Sequence, residues 1–197
     1  MRRHQAIICS YIHKVSIHSL SMDYGMPRDA AISPQPVLLG FLMLGPKHPY
    51  EMHQEFSHEL GRVWHVGQSH LYAYLKQLES GLATVTTETQ PNRPARNVYH
   101  ITPAGREAFL NWLCQPSQHV RHIRLEFLAR LYFFRHLSLP GLEQLVAGQK
   151  ALLQSRVESL NHAIVETDDE YWRLVLEFRQ SEMETIIRWL DRCLQTR

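Results

Sequence analysis

Between positions 68 and 77 the chain gathers two amides, two hydroxyls, an imidazole and an ammonium, as Gln68, Ser69, His70, Tyr72, Lys76 and Gln77. None of these is an activated nucleophile. Together they make the set that reads DNA: amides and hydroxyls pair with base edges in a major groove that admits one helix, and a lysine meets phosphate as a plain charge. A solvated helix face has the same composition, so the neighbours must decide. Arg93 and Arg96 lie in the Pro-rich stretch Gln90-Pro91-Asn92-Arg93-Pro94-Ala95-Arg96, where guanidinium groups suit phosphates or a narrow minor groove. Tyr50 follows Pro49 at a helix start, placing a hydroxyl beside free backbone amides that favour an anion.

Rival chemistries have less to build on. Cys114 and His119 supply a thiol and an imidazole, but no nucleophile elbow or Gly-rich loop surrounds them, and Trp112 nearby points to packing. An enzyme using Cys114 and a histidine is the weakest of the three readings. His119 and His122 share a helical face without a third ligand, and His48, His53 and His58 are spaced by five, which does not align on a helix; no metal and no cofactor is expected. Cys9, Cys114 and Cys193 form no CxxC pair, so a disulfide framework is unsupported and a reducing, cytoplasmic setting is expected. No apolar run approaches the ~18–20 residues that cross a bilayer, so no membrane partner is expected.

The elements that must position the polar cluster can be read from punctuation. Residues 37–44 form an apolar helix stopped by Gly45-Pro46. Pro49 opens a second, with Met52, Phe56 and Leu60 as its stripe and Gly61 as its cap. Ser69 is expected to cap a third helix, with Leu71, Tyr74, Leu75 and Leu78 inside, ended by Gly81. Residues 83–87 and 97–101 read as strands around a loop at 90–96. Thr102-Pro103 starts a fourth helix with Ala108, Phe109, Trp112 and Leu113 inward. Helix, helix, helix, strand, loop, strand, helix is the plan of a winged helix-turn-helix. The third helix is then the recognition helix, and 91–96 the wing tip.

Charge alone makes no case for nucleic acid. Of the 21 Lys/Arg and 19 Asp/Glu, residues 34–113 hold six of each and 114–197 eleven of each, so location has to carry the argument. The 13 histidines would add positive charge near pH 6. Residues 1–33 read as a loosely ordered extension, 34–115 as the winged helix-turn-helix and 116–197 as helical.

Three further helices are expected in that last part: about 120–136, then a long one after Ser138-Leu139-Pro140-Gly141, then one opened by Asp168-Asp169-Glu170. The apolar stripes of the last two include Leu142, Val146, Leu153 and Leu160, and Trp172, Met183, Ile186 and Leu190. Two such helices cannot bury both stripes alone, so these residues are expected to form a homodimer interface.

These residues resemble the PadR-type transcriptional regulators. The matches are Leu38-Leu39-Gly40-Phe41-Leu42 with Gly45-Pro46 and His48-Pro49-Tyr50-Glu51, then Leu71-Tyr72 through Leu75, Leu78-Glu79 and Gly81-Leu82, and most specifically Val98-Tyr99-His100-Ile101-Thr102-Pro103-Ala104-Gly105-Arg106. Arg124 to Phe133 is similar to the family's R-x-x-F-L-x-R-L-x-F helix, and three C-terminal helices resemble its phenolic-acid-repressor and virulence-activator branch. Pro49 stands where the family usually has Gly, Gly67-Gln68-Ser69-His70 replaces Ser-Pro-Gly-Thr, and Ala73 replaces a common Pro. The operator read by typical members therefore does not carry over. The resemblance implies a mainly α fold with a small β-wing, an antiparallel helical dimerisation domain, double-stranded operator DNA as partner, and repression relieved by a small aromatic effector. The aromatics placed to line an effector cavity are Trp64, Trp112, Phe127 and Phe134, with Tyr132 and Phe133 beside them. The near-neutral 34–113 segment keeps open a second reading, a winged-helix protein-interaction module without DNA binding.

Overall fold

The computed structural model describes residues 32–90 and 93–195. The extension expected over 1–33 therefore lies outside the described residues, apart from Ile32 and Ser33. The elements run α1 (Gln35–Met43), α2 (Pro49–Glu59), α3 (Gln68–Leu78), β1 (Ala83–Gln90), β2 (Arg93–Ile101), α4 (Pro103–Leu113), α5 (Val120–His122), a π-helical turn (Ile123–Phe127), α6 (Leu128–His136), α7 (Leu142–Glu166) and α8 (Glu170–Gln195). The fold is mostly helical with one two-stranded antiparallel sheet.

Helix α1 is apolar after Gln35, and Val37 through Leu42 are all buried, as expected of a helix segment packed on every side. Phe41 lies 6.0 Å from Phe56 of α2 and 5.3 Å from Phe133 of α6, ring centre to ring centre. Phe133 in turn meets Phe109 of α4 edge-on at 5.3 Å. The close approach is possible because position 40 is glycine: a Cβ there would sit 2.5 Å from the Phe133 ring. One apolar cluster consequently runs from α1 into the C-terminal helices.

The sheet is longer than the sequence suggests. Glu88 pairs with Arg96 and Gln90 with Arg93, with an irregularity between Glu88 and Gln90. Arg93–Arg96 thus belong to β2, not to a tip loop, and Pro91 and Asn92 lie outside the described residues. Pro94 does not break the strand, since in a two-stranded ribbon its missing N–H can face outward. A further bridge joins Lys47 to Tyr99 through both backbone bonds, 3.1 and 2.9 Å, which fastens the α1–α2 loop to the wing.

The turn into α4 is clasped by one residue. The Thr102 hydroxyl donates to the Gly81 carbonyl at 2.7 Å and accepts from the Gly105 amide at 3.0 Å, while its own amide donates to Leu82 O. A Cβ on Gly105 would lie 2.0 Å from that same Leu82 carbonyl oxygen. The glycine is therefore demanded by a backbone–backbone approach, and backbone cannot swing aside as a side chain can.

Further along, the single helix expected over 120–136 is interrupted by the π turn. Asp169 caps α8, its Oδ1 accepting from the Trp172 amide at 3.0 Å, and α7 packs antiparallel to α8, with Lys150 Nζ 2.6 Å from Asp191 Oδ1. Among the described residues, no helix is long and apolar enough to cross a membrane.

Gly105→Ala is expected to destabilise the chain by about 2–3 kcal/mol, as overpacking against unyielding structure does. Gly40→Ala should cost less, because its neighbours are ring edges that can tilt. Urea denaturation of both variants checks the order.

Candidate nucleic-acid interface

Helix α3 presents its polar residues outward. Leu71, Leu75 and Leu78 are buried, while Gln68, Ser69, His70, Lys76 and Gln77 are exposed and Tyr72 is half-buried. Ala73 is also exposed, so the middle of the outward face consists of Ser69, Ala73 and Lys76 with the two glutamines on its flanks. Ser69 does not cap the helix. The N-cap is Gly67, which makes no side-chain hydrogen bond, so Ser69 lies inside the first turn with its hydroxyl turned outward. The helix starts two residues earlier than a Ser69 cap implies, because Gly67 adopts the extended cap conformation.

Two side-chain hydrogen bonds order this face. Gln68 Nε2 donates to the Tyr72 hydroxyl at 2.9 Å, one turn along. Gln35 Nε2, from the start of α1, donates to Gln77 Oε1 at 2.5 Å. The second was not legible, because 42 residues separate the partners.

Tyr50 is half exposed, at 51%, and its hydroxyl accepts from Gln54 Nε2 at 2.8 Å. Its backbone amide, however, donates to His48 Nδ1 at 3.2 Å, and Glu51 accepts from the His48 amide. This capping box takes up part of the N-terminal donor capacity expected to face a phosphate. Arg96 is half-buried opposite Glu88 on the wing; Arg93 lies on β2, and its side chain lies outside the described residues.

The wing and α3 are tied together at their base. The Tyr99 hydroxyl donates to Glu79 Oε1 at 2.8 Å. Burial first, and then this hydrogen bond and the Glu79 charge, push the Tyr99 phenol up to about 12. Glu79 follows directly after α3, so the bond fixes the end of α3 to the strand behind it.

The remaining candidates separate. Trp64, Phe127 and Phe134 are buried in the core, and Trp112 lies beneath the Arg130 guanidinium, 4.6 Å from its ring centre. One open groove of about 450 Å³ is lined by Glu59, Leu60, Val63, Leu128, Leu131, Tyr132, Arg135 and His136. A second, of about 390 Å³, is lined by Ile32, Val63, Arg121, Arg124 and Leu125. None of the four aromatics lines either groove, so they are packing residues in this conformation, as helical spacing more often implies.

The expected dimer residues divide in the same way. Val146, Leu153, Met183 and Leu190 are already buried within one chain, between α7, α8 and the core. Leu142, Leu160 and Ile186 are half-buried against the same cluster. The face left open is a different one: Tyr171, Leu174 and Phe178 are 74, 60 and 71% exposed, beside Trp172 at 39% and Val165. Seven of the eight expected residues thus pack within one chain, on the α7–α8 hairpin and the core, and Trp172 belongs to the open face.

His119 and His122 meet ring to ring at 4.8 Å, and His122 also approaches Glu126 at 3.9 Å. Among the described residues, no group of three or more metal-ligating side chains assembles. Burial pushes the Cys114 thiol up, against a smaller opposing effect of Arg130, and a thiol held protonated is the poorer nucleophile.

Residues 38–111 match the model of the transcriptional regulator PadR-like family, and residues 123–196 that of the virulence activator alpha C-term. The negative transcriptional regulator PadR of Bacillus subtilis is 27% identical over 124 residues, 62% of this chain and 68% of that protein. A crystal structure of Bacillus subtilis PadR in complex with operator DNA matches with a TM-score of 0.44 and 23% identity, covering 85% of this chain and 99% of that one. A structure of the same protein in complex with p-coumaric acid matches with a TM-score of 0.38 and 23% identity, over 82% of this chain and 96% of that one.

The raised Tyr99 pKa gives a pH signature. The folded state holds the phenolic proton more tightly than an unfolded tyrosine near 10 does. The stability it contributes is therefore whole below pH 10 and is lost between pH 10 and 12. Denaturant titrations across that window should show a steeper loss in the wild type than in Tyr99→Phe.

Proposed function

The chain belongs to the PadR-like family of transcriptional regulators, and from that premise we propose that it is a homodimeric repressor that reads an inverted repeat in double-stranded DNA and is not an enzyme. The observation that carries the reading is the outward face of α3, which is polar apart from Ala73, free of the core, and braced by the wing through Tyr99 and Glu79. Residues 34–115 read DNA and residues 116–197 hold the two copies together. Two α3 helices related by a two-fold axis then enter successive major grooves. Gln68, Ser69 and Gln77 face base edges, and Lys76, Tyr50 and the wing arginines Arg93 and Arg96 meet phosphate or the minor groove. Repression, as against activation, is supported by the Bacillus subtilis relative, which is a negative regulator.

Because residues 34–113 are balanced in charge, each subunit should neutralise few phosphates, about three to five, each contributing roughly −0.9 to the log–log salt slope. The test is a set of isotherms for the full chain on its own upstream region and on scrambled duplex, at two salt concentrations. Gln68→Ala should cost about 1–3 kcal/mol on the cognate duplex alone. Lys76→Ala should weaken both duplexes alike and flatten the slope by about one unit. Absence of salt-dependent binding to any duplex overturns the reading in favour of a protein-interaction module.

The second copy covers Tyr171, Leu174 and Phe178. Three large apolar side chains at i, i+3 and i+7, exposed by more than half, form a seam that a soluble monomer would not leave open. Sedimentation should show a dimer for the wild type, and a monomer of unchanged helix content for Leu174→Glu/Phe178→Glu. Leu153→Glu should instead unfold the chain, since it puts an unpaired charge into the single-chain core at a cost of several kcal/mol. A fully dimeric Leu174→Glu/Phe178→Glu protein defeats this interface.

A small aromatic carboxylate is the effector class that suits the larger groove, whose apolar floor of Leu60, Val63, Leu128 and Leu131 is edged by Arg135 and His136. Calorimetric titration with p-coumaric acid tests this, with Leu131→Trp, which fills the floor, as the variant expected to abolish the heat.

A further inference from the structure

Gln35 lies outside the helix pair α2–α3, at the first position of α1, yet it is the residue that holds an amide of α3. Its own backbone amide donates to Ser33 Oγ at 3.3 Å, which anchors the start of α1. Its side-chain Nε2 donates to Gln77 Oε1 at 2.5 Å. Both side chains are solvated, and Gln77 flanks the outward face built on Ser69, Ala73 and Lys76.

A glutamine with no partner can turn either end of its amide outward and offer a donor and an acceptor together, the pattern that pairs with adenine N6 and N7. In this structure Gln77 is held by its partner: one lone pair of Oε1 accepts from Gln35 Nε2, which leaves the amino group, with both N–H, as the end to meet DNA. A donor-only group fits an acceptor edge, either guanine O6 and N7 or thymine O4. Gln68 is tied the other way: it donates one N–H to Tyr72 and keeps Oε1 and a second N–H outward, which preserves the adenine pattern. The two glutamines of one helix therefore have opposite polarity, each set by a different neighbour.

From this geometry we infer that Gln35 is a specificity-determining residue of the DNA reading proposed above: it sets the amide of Gln77 so that the recognition helix meets an acceptor edge at that position. The inference rests on that reading. Because both groups stay solvated with or without each other, the bond adds little to folding and acts by orientation. Replacing Gln35 with glutamate should reverse the orientation. A carboxylate only accepts, so Gln77 must turn its amino group toward Glu at position 35 and present Oε1 to the DNA, where it can accept from adenine N6 or cytosine N4.

The test uses the full chain and a duplex library with a randomised core, so no operator need be known beforehand. Wild type, Gln77→Ala, Gln35→Ala and Gln35→Glu are each carried through selection and sequenced. Gln77→Ala marks the symmetric pair of positions that Gln77 reads. Gln35→Ala should lose preference at those same positions, by about fivefold, the size of one hydrogen bond of about 1 kcal/mol. Gln35→Glu should shift them from guanine or thymine toward adenine or cytosine. Thermal melting of the variants should match the wild type. A Gln35→Ala profile identical to wild type, or altered only at positions Gln77 does not mark, overturns the assignment alone. A wild-type protein that enriches no sequence overturns the DNA reading along with it.

Discussion

The buried guanidinium of Arg130 is the interaction on which the arrangement of the C-terminal half depends. The residue is 3% exposed. Its Nε donates to the Trp112 carbonyl at 2.9 Å, one terminal nitrogen to Ser117 Oγ at 2.6 Å, and the other to Glu126 at 3.4 Å. Burial pulls its pKa down to about 10, against the opposing charge of Glu126, so the group stays cationic at neutral pH. A buried charge is tolerable only when paired and fully hydrogen-bonded. Here the partners come from the end of α4, the connecting segment and the π turn. The same segment is gripped from the other side by Gln149 of α7, whose amide exchanges two bonds with the Ser117 backbone, 2.7 and 3.1 Å. Residues 114–119 are thus pinned on both sides, and the orientation of the wing and α3 relative to α7 and α8 depends on that pin.

The π turn fits this role. An extra residue in a helical turn rotates every later side chain about the helix axis, and such turns persist where the surroundings demand them. In this chain the turn holds Glu126, which serves Arg130 on one side and His122 on the other. Burial pulls the His122 imidazole down, while Glu126 opposes that and His119, Arg121 and Arg130 reinforce it. Ring contacts among Phe41, Phe109 and Phe133 then carry the pinned geometry into α1. Helix α1 in turn positions α3, through packing along its length and through Gln35 at its tip.

Much of this order was legible because it is written in local chemistry. Pro49, Gly81 and Thr102-Pro103 mark boundaries that depend on backbone geometry within a few residues. The inward residues of α3 recur at helical spacing, so its outward face is found by subtraction. The features that the sequence concealed share a physical character: partners far apart in the chain. Lys47 reads as a loop cation, yet its backbone extends the wing through Tyr99. Gln35, Ser117 and Gln149 carry no periodic signal, since a polar residue on a helix face reads as solvated until its partner is placed. Arg130 did offer one, as a cation spaced with the buried Phe127, Phe133 and Phe134 on an otherwise apolar face. The dimer stripe is hard to read from sequence for a related reason. Periodicity identifies which residues are apolar together, but two stripes on one hairpin can satisfy each other. The residues that look most like an interface are then the ones a single chain buries first.

A near-neutral reading domain is consistent with the same economy of contacts. With six cations against six anions in residues 34–113, and Lys47 already 2.6 Å from Glu55, little charge remains to hold DNA without regard to sequence. Non-specific affinity rises with the number of phosphates neutralised, so a domain built this way binds random duplex weakly at physiological salt. On the function proposed above, discrimination rests on the fit of two α3 faces to two half-sites at once, where a rigid spacing converts two modest contacts into one tight one. That gain exists only while the spacing is held, and the spacing runs through residues 114–119. Polar knots suit such a hinge better than an apolar seam. An apolar seam tolerates sliding, whereas the Arg130 and Gln149 contacts are directional and leave buried groups unpaired when displaced, so the segment keeps one arrangement or gives up several bonds together.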